Sequence, residues 1–228
     1  MLILGMDTSG RQGSVALLRA EGEELQTLEL MPIPGGQYSE LLVPSIAELL
    51  VRHGFEKSSI GLIAVASGPG SFTGLRIAIA TVKGLSEAFA IPVVSVSVLE
   101  AVALTSGVQG RVLSALDAQR SEVFYAEYNV VSAEPVPVDR ELIASFADFA
   151  GFLANAPTRK IFTPDSSLAV RLQEAGFPTG LITRPSAETY ARIAHRKFLV
   201  GVRADVAVLD ANYVRRSDAE IFVAPKIV

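Results

Sequence analysis

Two short apolar runs, residues 2–7 and 112–117, end on Asp7 and Asp117, and each leads through a polar turn into a second apolar run, at 14–19 and 123–128. The two aspartates stand 110 positions apart in a chain of 228, so the pattern recurs at half length. A strand, an aspartate, a turn and a return strand repeated in this way predict two related α/β lobes. The division falls at 1–105 for the first lobe and 106–228 for a smaller second one. Half of the residues are apolar, which is enough to bury a sizeable core.

Between the repeats the pattern is readable in pieces. A third strand fits 25–31, and Met31-Pro32-Ile33-Pro34-Gly35-Gly36 is a loop. Leu42, Ile46, Leu49, Leu50 and His53 have helical spacing, with Gly54 as a C-terminal cap and Pro44 weakening the first turns. A buried strand at 60–66 enters a glycine-rich turn at 67–74; a helix over 73–90 is closed by Pro92, and a strand follows at 93–98. In the second half, 146–153, 168–175 and 187–200 read as helices, the last preceded by Pro185-Ser186. The tail after Tyr213 has no clear period and is expected to be mobile.

Composition removes several classes of function. Charged residues make up only 19% and mean hydropathy is +0.39, which excludes a disordered polyelectrolyte. With no cysteine there is no disulfide, thiolate nucleophile, Cys-ligated zinc or iron–sulfur cluster. His53 and His195 are the only histidines, so one subunit cannot build a multi-histidine metal site. The N-terminal run lacks a basic leader and meets Asp7 too soon for a signal peptide, and no run reaches the roughly 18 apolar residues of a spanning helix. The expectation is a soluble, cytoplasmic protein without membrane contact. Residues 1–158 carry nine basic and 17 acidic side chains, whereas 159–228 carry 11 and seven. The acidic part should repel nucleic acid, and the scattered cations of the basic part read as a solvated face, so RNA is touched weakly or indirectly.

Three constellations could carry chemistry. Asp7, Thr8 and Ser9 stand where an actin-like or sugar-kinase fold would place a metal–phosphate aspartate and hydroxyl donors, and Asp117 could face Asp7 across a cleft; the alternative is a strand-ending Asx turn. Gly68, Gly70, Ser71, Thr73 and Gly74 form either an anion-binding turn or a tight turn with Ser71 or Thr73 as helix cap. The sequence is not a Walker A loop, because the Gly-Lys-Ser/Thr ending is missing. Arg76 in the first helical turn opposes the macrodipole and calls for a carboxylate or anion to compensate it. The helix that follows has one bulky face (Leu75, Ala78, Val82, Leu85 and Phe89) and one flank of small residues (Ile77, Ala80, Thr81, Gly84 and Ala88). A mid-helix glycine costs about 1 kcal/mol relative to alanine. Gly84 therefore suggests close approach of another helix, either 38–53 of the same chain or one from another subunit. No nucleophile–base pair or metal-ligand cluster is visible, so no catalytic residue, cofactor or metal is assigned.

Leu4-Gly5-Met6-Asp7-Thr8-Ser9, Tyr38-Ser39-Glu40-Leu41-Leu42-Val43-Pro44, Ser67-Gly68-Pro69-Gly70-Ser71-Phe72-Thr73-Gly74-Leu75-Arg76-Ile77, Leu116-Asp117-Ala118-Gln119-Arg120-Ser121-Glu122-Val123-Phe124 and Asn212-Tyr213-Val214-Arg215 together resemble the bacterial TsaB (YeaZ) family. The resemblance implies an α/β, actin-like ASKHA (ribonuclease H-like) fold of two related lobes. It also implies a noncatalytic platform role in forming N6-threonylcarbamoyladenosine at position 37 of tRNA, in a heterodimer with the catalytic paralogue TsaD that engages the ATPase TsaE. A homodimer is expected when the chain is alone. On this reading Tyr38, Leu42, Ile46, Leu49, Arg76, Ile77, Ala80, Thr81, Gly84 and Ala88 form the partner interface, and Asp7, Thr8, Ser9 and Asp117 bind nucleotide weakly at most. The paralogue's pair of histidines four apart on the first long helix is absent from 38–42, and many family members have histidine where this chain has Tyr38. Competing readings are an ATP-dependent phosphotransferase and a glycopeptidase-like hydrolase, opposed by the missing early glycine after Asp7, the absence of a phosphate-contacting lysine and the lack of a nucleophile–base pair.

Overall fold

The computed structural model describes residues 1–155 and 159–212. Its first half builds a five-stranded sheet in which β1 (Leu2–Asp7), β2 (Gln12–Glu21) and β3 (Glu24–Pro34) are antiparallel neighbours. On the other side of β1, β4 (Ile60–Gly68) and β5 (Val93–Ser97) run parallel to it, giving the order β3-β2-β1-β4-β5. Helix α1 (Tyr38–Arg52) precedes β4 and α2 (Phe72–Phe89) follows it. The second half repeats this plan with β6 (Gly110–Asp117), β7 (Glu122–Val131), β8 (Glu134–Pro137), β9 (Leu142–Ser145), β10 (Ile161–Thr163) and β11 (Thr179–Leu181) in a six-stranded sheet. Its order is β11-β10-β6-β7-β8, β9 pairs with β7 as well, and α4 (Phe146–Ala154) and α5 (Ser166–Glu174) flank β10 in sequence. The strand order confirms the two related α/β lobes that the recurring aspartate pattern predicts.

The lobes exchange helices. α3 (Val98–Thr105), from the first half, packs on β6, β7 and β8, while α6 (Ala187–Leu199), from the second, packs on β1, β2, β4 and β5. Their meeting makes a central core that joins Ile3, Leu18 and Leu62 of one sheet to Val112, Leu116 and Tyr128 of the other through Val102 and Tyr190. A division at residue 105 therefore follows chain order but not packing. The strand expected over 93–98 ends at Ser97, whose hydroxyl accepts the Leu99 and Glu100 amides and caps α3, a helix the sequence reading did not assign.

The central strands β1, β4 and β6 are buried on both faces, so their alternation shows in which core each residue joins rather than in polarity. Leu2, Leu4 and Met6 face a second core beneath α1 and α2, Ile3 faces the central one, and in β7 Val123 and Tyr125 face a third core beneath α4 and α5. The face toward α6 sets Gly5, Ala16, Ala64 and Ala66 among larger residues. A Cβ on Gly5 would lie 2.3 Å from the Ala187 carbonyl oxygen, so the start of α6 rests directly on β1. The segment after α6 returns along the first lobe, where the Ala204 amide donates to Val93 and the Asn212 amide to Ser67. The tail after Tyr213 lies outside the described residues.

Candidate functional site

Asp7 ends β1 and is 1% exposed; its Oδ1 accepts the Ser9 amide at 2.8 Å and the Ser9 hydroxyl at 2.6 Å. This is the Asx turn of the alternative reading, and it occupies the Ser9 hydroxyl as donor. Thr8 donates its hydroxyl to the Gly74 carbonyl at 2.7 Å. Asp117 repeats the device in the second lobe, with Oδ1 accepting the Gln119 amide at 2.8 Å. Burial raises the Asp7 carboxyl above its ordinary range, against the Ser9 hydrogen bonds and the Arg184 charge, which lower it.

The glycine-rich segment acts on the same turn. Ser71 is the helix cap, accepting the Gly74 amide at 3.3 Å, and its own amide donates to the Ser9 carbonyl at 2.7 Å. A Cβ on Gly70 would lie 2.4 Å from the Ser9 carbonyl oxygen, and one on Gly74 would lie 2.0 Å from that of Thr8. Gly68 has φ +109°, a backbone that L side chains rarely adopt. Thr73 is exposed in the first turn of α2 and is not the cap. These glycines let α2 begin against the β1 turn, which is the tight-turn reading rather than the anion-turn one. Arg76 lies over the Phe72 ring at 3.9 Å, so an aromatic face stands beside the cation.

The residues expected at a partner interface separate into two groups. Tyr38, Leu42, Ile46 and Leu49 are buried in the core under α1 and have no surface to offer a partner, which corrects their assignment. The tyrosine also donates its hydroxyl to the Gly10 carbonyl at 2.8 Å; burial and the Asp7 charge push it up to about 12. Ile77 and Thr81 are half-buried, whereas Arg76, Ala80, Gly84 and Ala88 are exposed. A Cβ on Gly84 would meet nothing within 4 Å, so helix α1 of the same chain does not cover this flank. Exposed Phe72 and Phe89 stand at the two ends of α2.

Arg184, Asp165, Tyr190 and Gly10 were not singled out in the sequence. Arg184 Nη2 donates to Ser9 Oγ at 3.5 Å, and Nη1 lies 3.6 Å from Asp165 Oδ1. Asp165 Oδ2 in turn accepts the Asp117 amide at 2.8 Å. The two aspartate turns are thus joined through Arg184 and Asp165, not set as a bare pair of carboxylates. Burial raises the Asp165 carboxyl, while the Asp117 amide and the charges of Arg184 and Arg11 lower it. An actin-like fold implies a nucleotide and its metal at this junction, and these residues do not fit one. The Thr8 and Ser9 hydroxyls and the Ser9, Ser71 and Gly74 amides are bonded within the protein, and the space beside Gly10 holds the guanidinium. The repeat carried one usable signal: Pro164-Asp165 follows β10 as Pro69-Gly70 follows β4, which places Asp165 against the Asp117 turn.

Among the described residues no three His, Cys, Asp or Glu side chains are grouped to hold a metal ion. His53 Nε2 pairs with Glu29 at 2.9 Å, and His195 is buried on α6. No described helix is long and apolar enough to cross a membrane.

The fold and the doubled aspartate turn define a two-lobed α/β protein of the actin-like, ribonuclease H-like class. A family model described as "TsaD: tRNA N6-adenosine threonylcarbamoyltransferase" matches residues 33–162, more than half of the chain. The chain belongs to this family, on its TsaB (YeaZ) side. It is 29% identical to "tRNA threonylcarbamoyladenosine biosynthesis protein TsaB" of Bacillus subtilis over 96% of both chains. The protein of the same name from Escherichia coli is 35% identical over 56% of this chain, a match that spans only 55% of the E. coli protein. The solved structure of YeaZ from Pseudomonas aeruginosa superposes with a TM-score of 0.72 at 26% identity, covering 92% of this chain and 100% of that one.

Proposed function

We propose that this chain is a noncatalytic scaffold subunit in the formation of N6-threonylcarbamoyladenosine in tRNA, acting in the cytoplasm. It pairs through α2 with the catalytic subunit TsaD, and the pair engages the ATPase TsaE; without TsaD, two copies pair through the same face. The observation that carries this reading is the open flank of α2, where small residues at 80, 84 and 88 lie exposed between two aromatic ends. Small residues let a second helix approach closely, and the helices of the same chain leave this stripe uncovered. The names of the relatives support the pathway. Self-satisfied aspartates and dispersed histidines favour a platform over a phosphotransferase or hydrolase.

The test is Gly84→Leu, assayed by melting and by binding to TsaD. The new side chain meets open space within the subunit, so its melting temperature should hold or rise slightly. Against a partner helix the added bulk should weaken association by about tenfold or more. A folded variant that binds TsaD with unchanged affinity refutes the assignment of this face.

A further inference from the structure

The disagreement between the interlobe junction and a nucleotide site has a specific form. Arg184 lies in the segment between β11 and α6, where the chain crosses from the second lobe to the first. Its guanidinium lies against the backbone of Gly10, since a Cβ there would fall 2.5 Å from Nε and 2.7 Å from Cζ. Gly10 lies in the first aspartate turn and is absent from the positive-φ glycines, so backbone conformation does not require glycine at this place, whereas the seating of Arg184 does. From there the guanidinium reaches Ser9 in one lobe and Asp165 in the other. Among the described residues the buried Arg184 Nε has no hydrogen-bond partner, and the buried Tyr190 hydroxyl stands beside Asp7 and Ser9. A half-buried cation is tolerated where carboxylates face it, and Asp7 and Asp165 supply them.

We propose that Arg184 is the resident cation of the interlobe cleft, a tethered guanidinium that stands between the two aspartate turns in place of a metal–phosphate cargo and pins the lobes to one another. The pin explains why the doubled turn persists without binding groups to spare. It also reaches α2 by direct bonds, because Ser9 and Thr8 hold Ser71 and Gly74 at the start of that helix. The proposal concerns the cleft alone and stands or falls independently of what α2 meets.

The experiment removes the side chain and returns its head group. Arg184→Gly should melt roughly 3 to 8 °C below the wild type. Millimolar ethylguanidinium should restore at least half of that loss in a saturable manner without moving the wild type. Amide exchange should accelerate at Ser9 and Asp117 together, although they lie in opposite lobes. An unchanged melting temperature, or an additive effect equal in both proteins, overturns the proposal, as does micromolar binding of Mg-ATP to the wild type. If Arg184→Gly does not fold, Gly10→Ala takes its place: it leaves the charge but fills the seat, and should lower the melting temperature and speed exchange in both turns. A Gly10→Ala protein that melts and exchanges as the wild type does would equally overturn it.

Discussion

Adding one methyl group at two glycines of the same helix should have opposite effects, and the structure sets the size of each. At Gly74 the new Cβ would lie 2.0 Å from the Thr8 carbonyl oxygen, well inside the roughly 3.4 Å of ordinary contact. The obstacle is backbone, so the start of α2 must retreat by more than an ångström. That retreat strains the packing, at about 1 to 3 kcal/mol. It also loosens the Thr8 hydroxyl bond to Gly74 and the Ser71 amide bond to Ser9, each worth about 0.5 to 1.5 kcal/mol. Alanine's better helix propensity returns about 1 kcal/mol. Gly74→Ala should therefore be destabilising by about 1 to 5 kcal/mol, a large part of a typical folding free energy of about 5 to 15 kcal/mol. At Gly84 nothing lies within 4 Å of the Cβ, so only the propensity gain remains and Gly84→Ala should stabilise by about 0.5 to 1 kcal/mol. Urea unfolding of both variants, with unchanged m-values, measures the difference. Equal free energies for the two would refute the claim that the glycine-rich segment exists for close packing on the β1 turn.

Asp7, Glu100 and Asp165 all have carboxyls raised by burial, so their contribution to stability is fully present below the unfolded value of about 4 and is lost as pH rises through the raised folded values. Asp7→Asn should accordingly be more stable than wild type at pH 7 by a margin that shrinks toward pH 4; a pH-independent margin in urea midpoints would contradict the assignment. Phe149 is 0% exposed, with its ring centroid 4.7 Å from that of Tyr125, so Phe149→Ala should cost about 3 to 5 kcal/mol by the same measurement. A loss under 1 kcal/mol would mean that the third core tolerates a cavity there.

The recurrence of strand, aspartate and turn at half length was enough to expose the doubled architecture, because strand ends and turns are written in local chemistry. The helix over 73–90 was equally legible, within one residue of the observed start and end. What escaped were elements held by distant partners. The short strands β8, β10 and β11 are three or four residues long and exist only by pairing with longer neighbours. Helix α3 depended on the serine cap at its start. At the site, the Asx turns and the Ser71 cap were readable because donor and acceptor lie within three residues of each other. Arg184 was not, since its contacts with Ser9 and Asp165 span 175 and 19 positions and no local pattern marks such a partner.

The exchange of α3 and α6 narrows where this chain can meet another protein. Both inner sheet faces are spent on the central core, which leaves the outer helical layers and the sheet edges as free surface. On α1 the regular apolar positions turn inward, and under α4 the aromatic rings of Tyr125, Phe149 and Phe152 close on themselves, with centroids 4.7 to 6.3 Å apart. Among the described helices, α2 combines an exposed stripe of small residues with a start fixed to the sheet through Gly70, Ser71 and Gly74. Those two properties complement each other: small residues permit a close helical contact, and a rigid origin means that little orientational freedom is lost when the contact forms. The glycines of one segment thus have two physical roles, close backbone approach at Gly70 and Gly74 and an open face at Gly84.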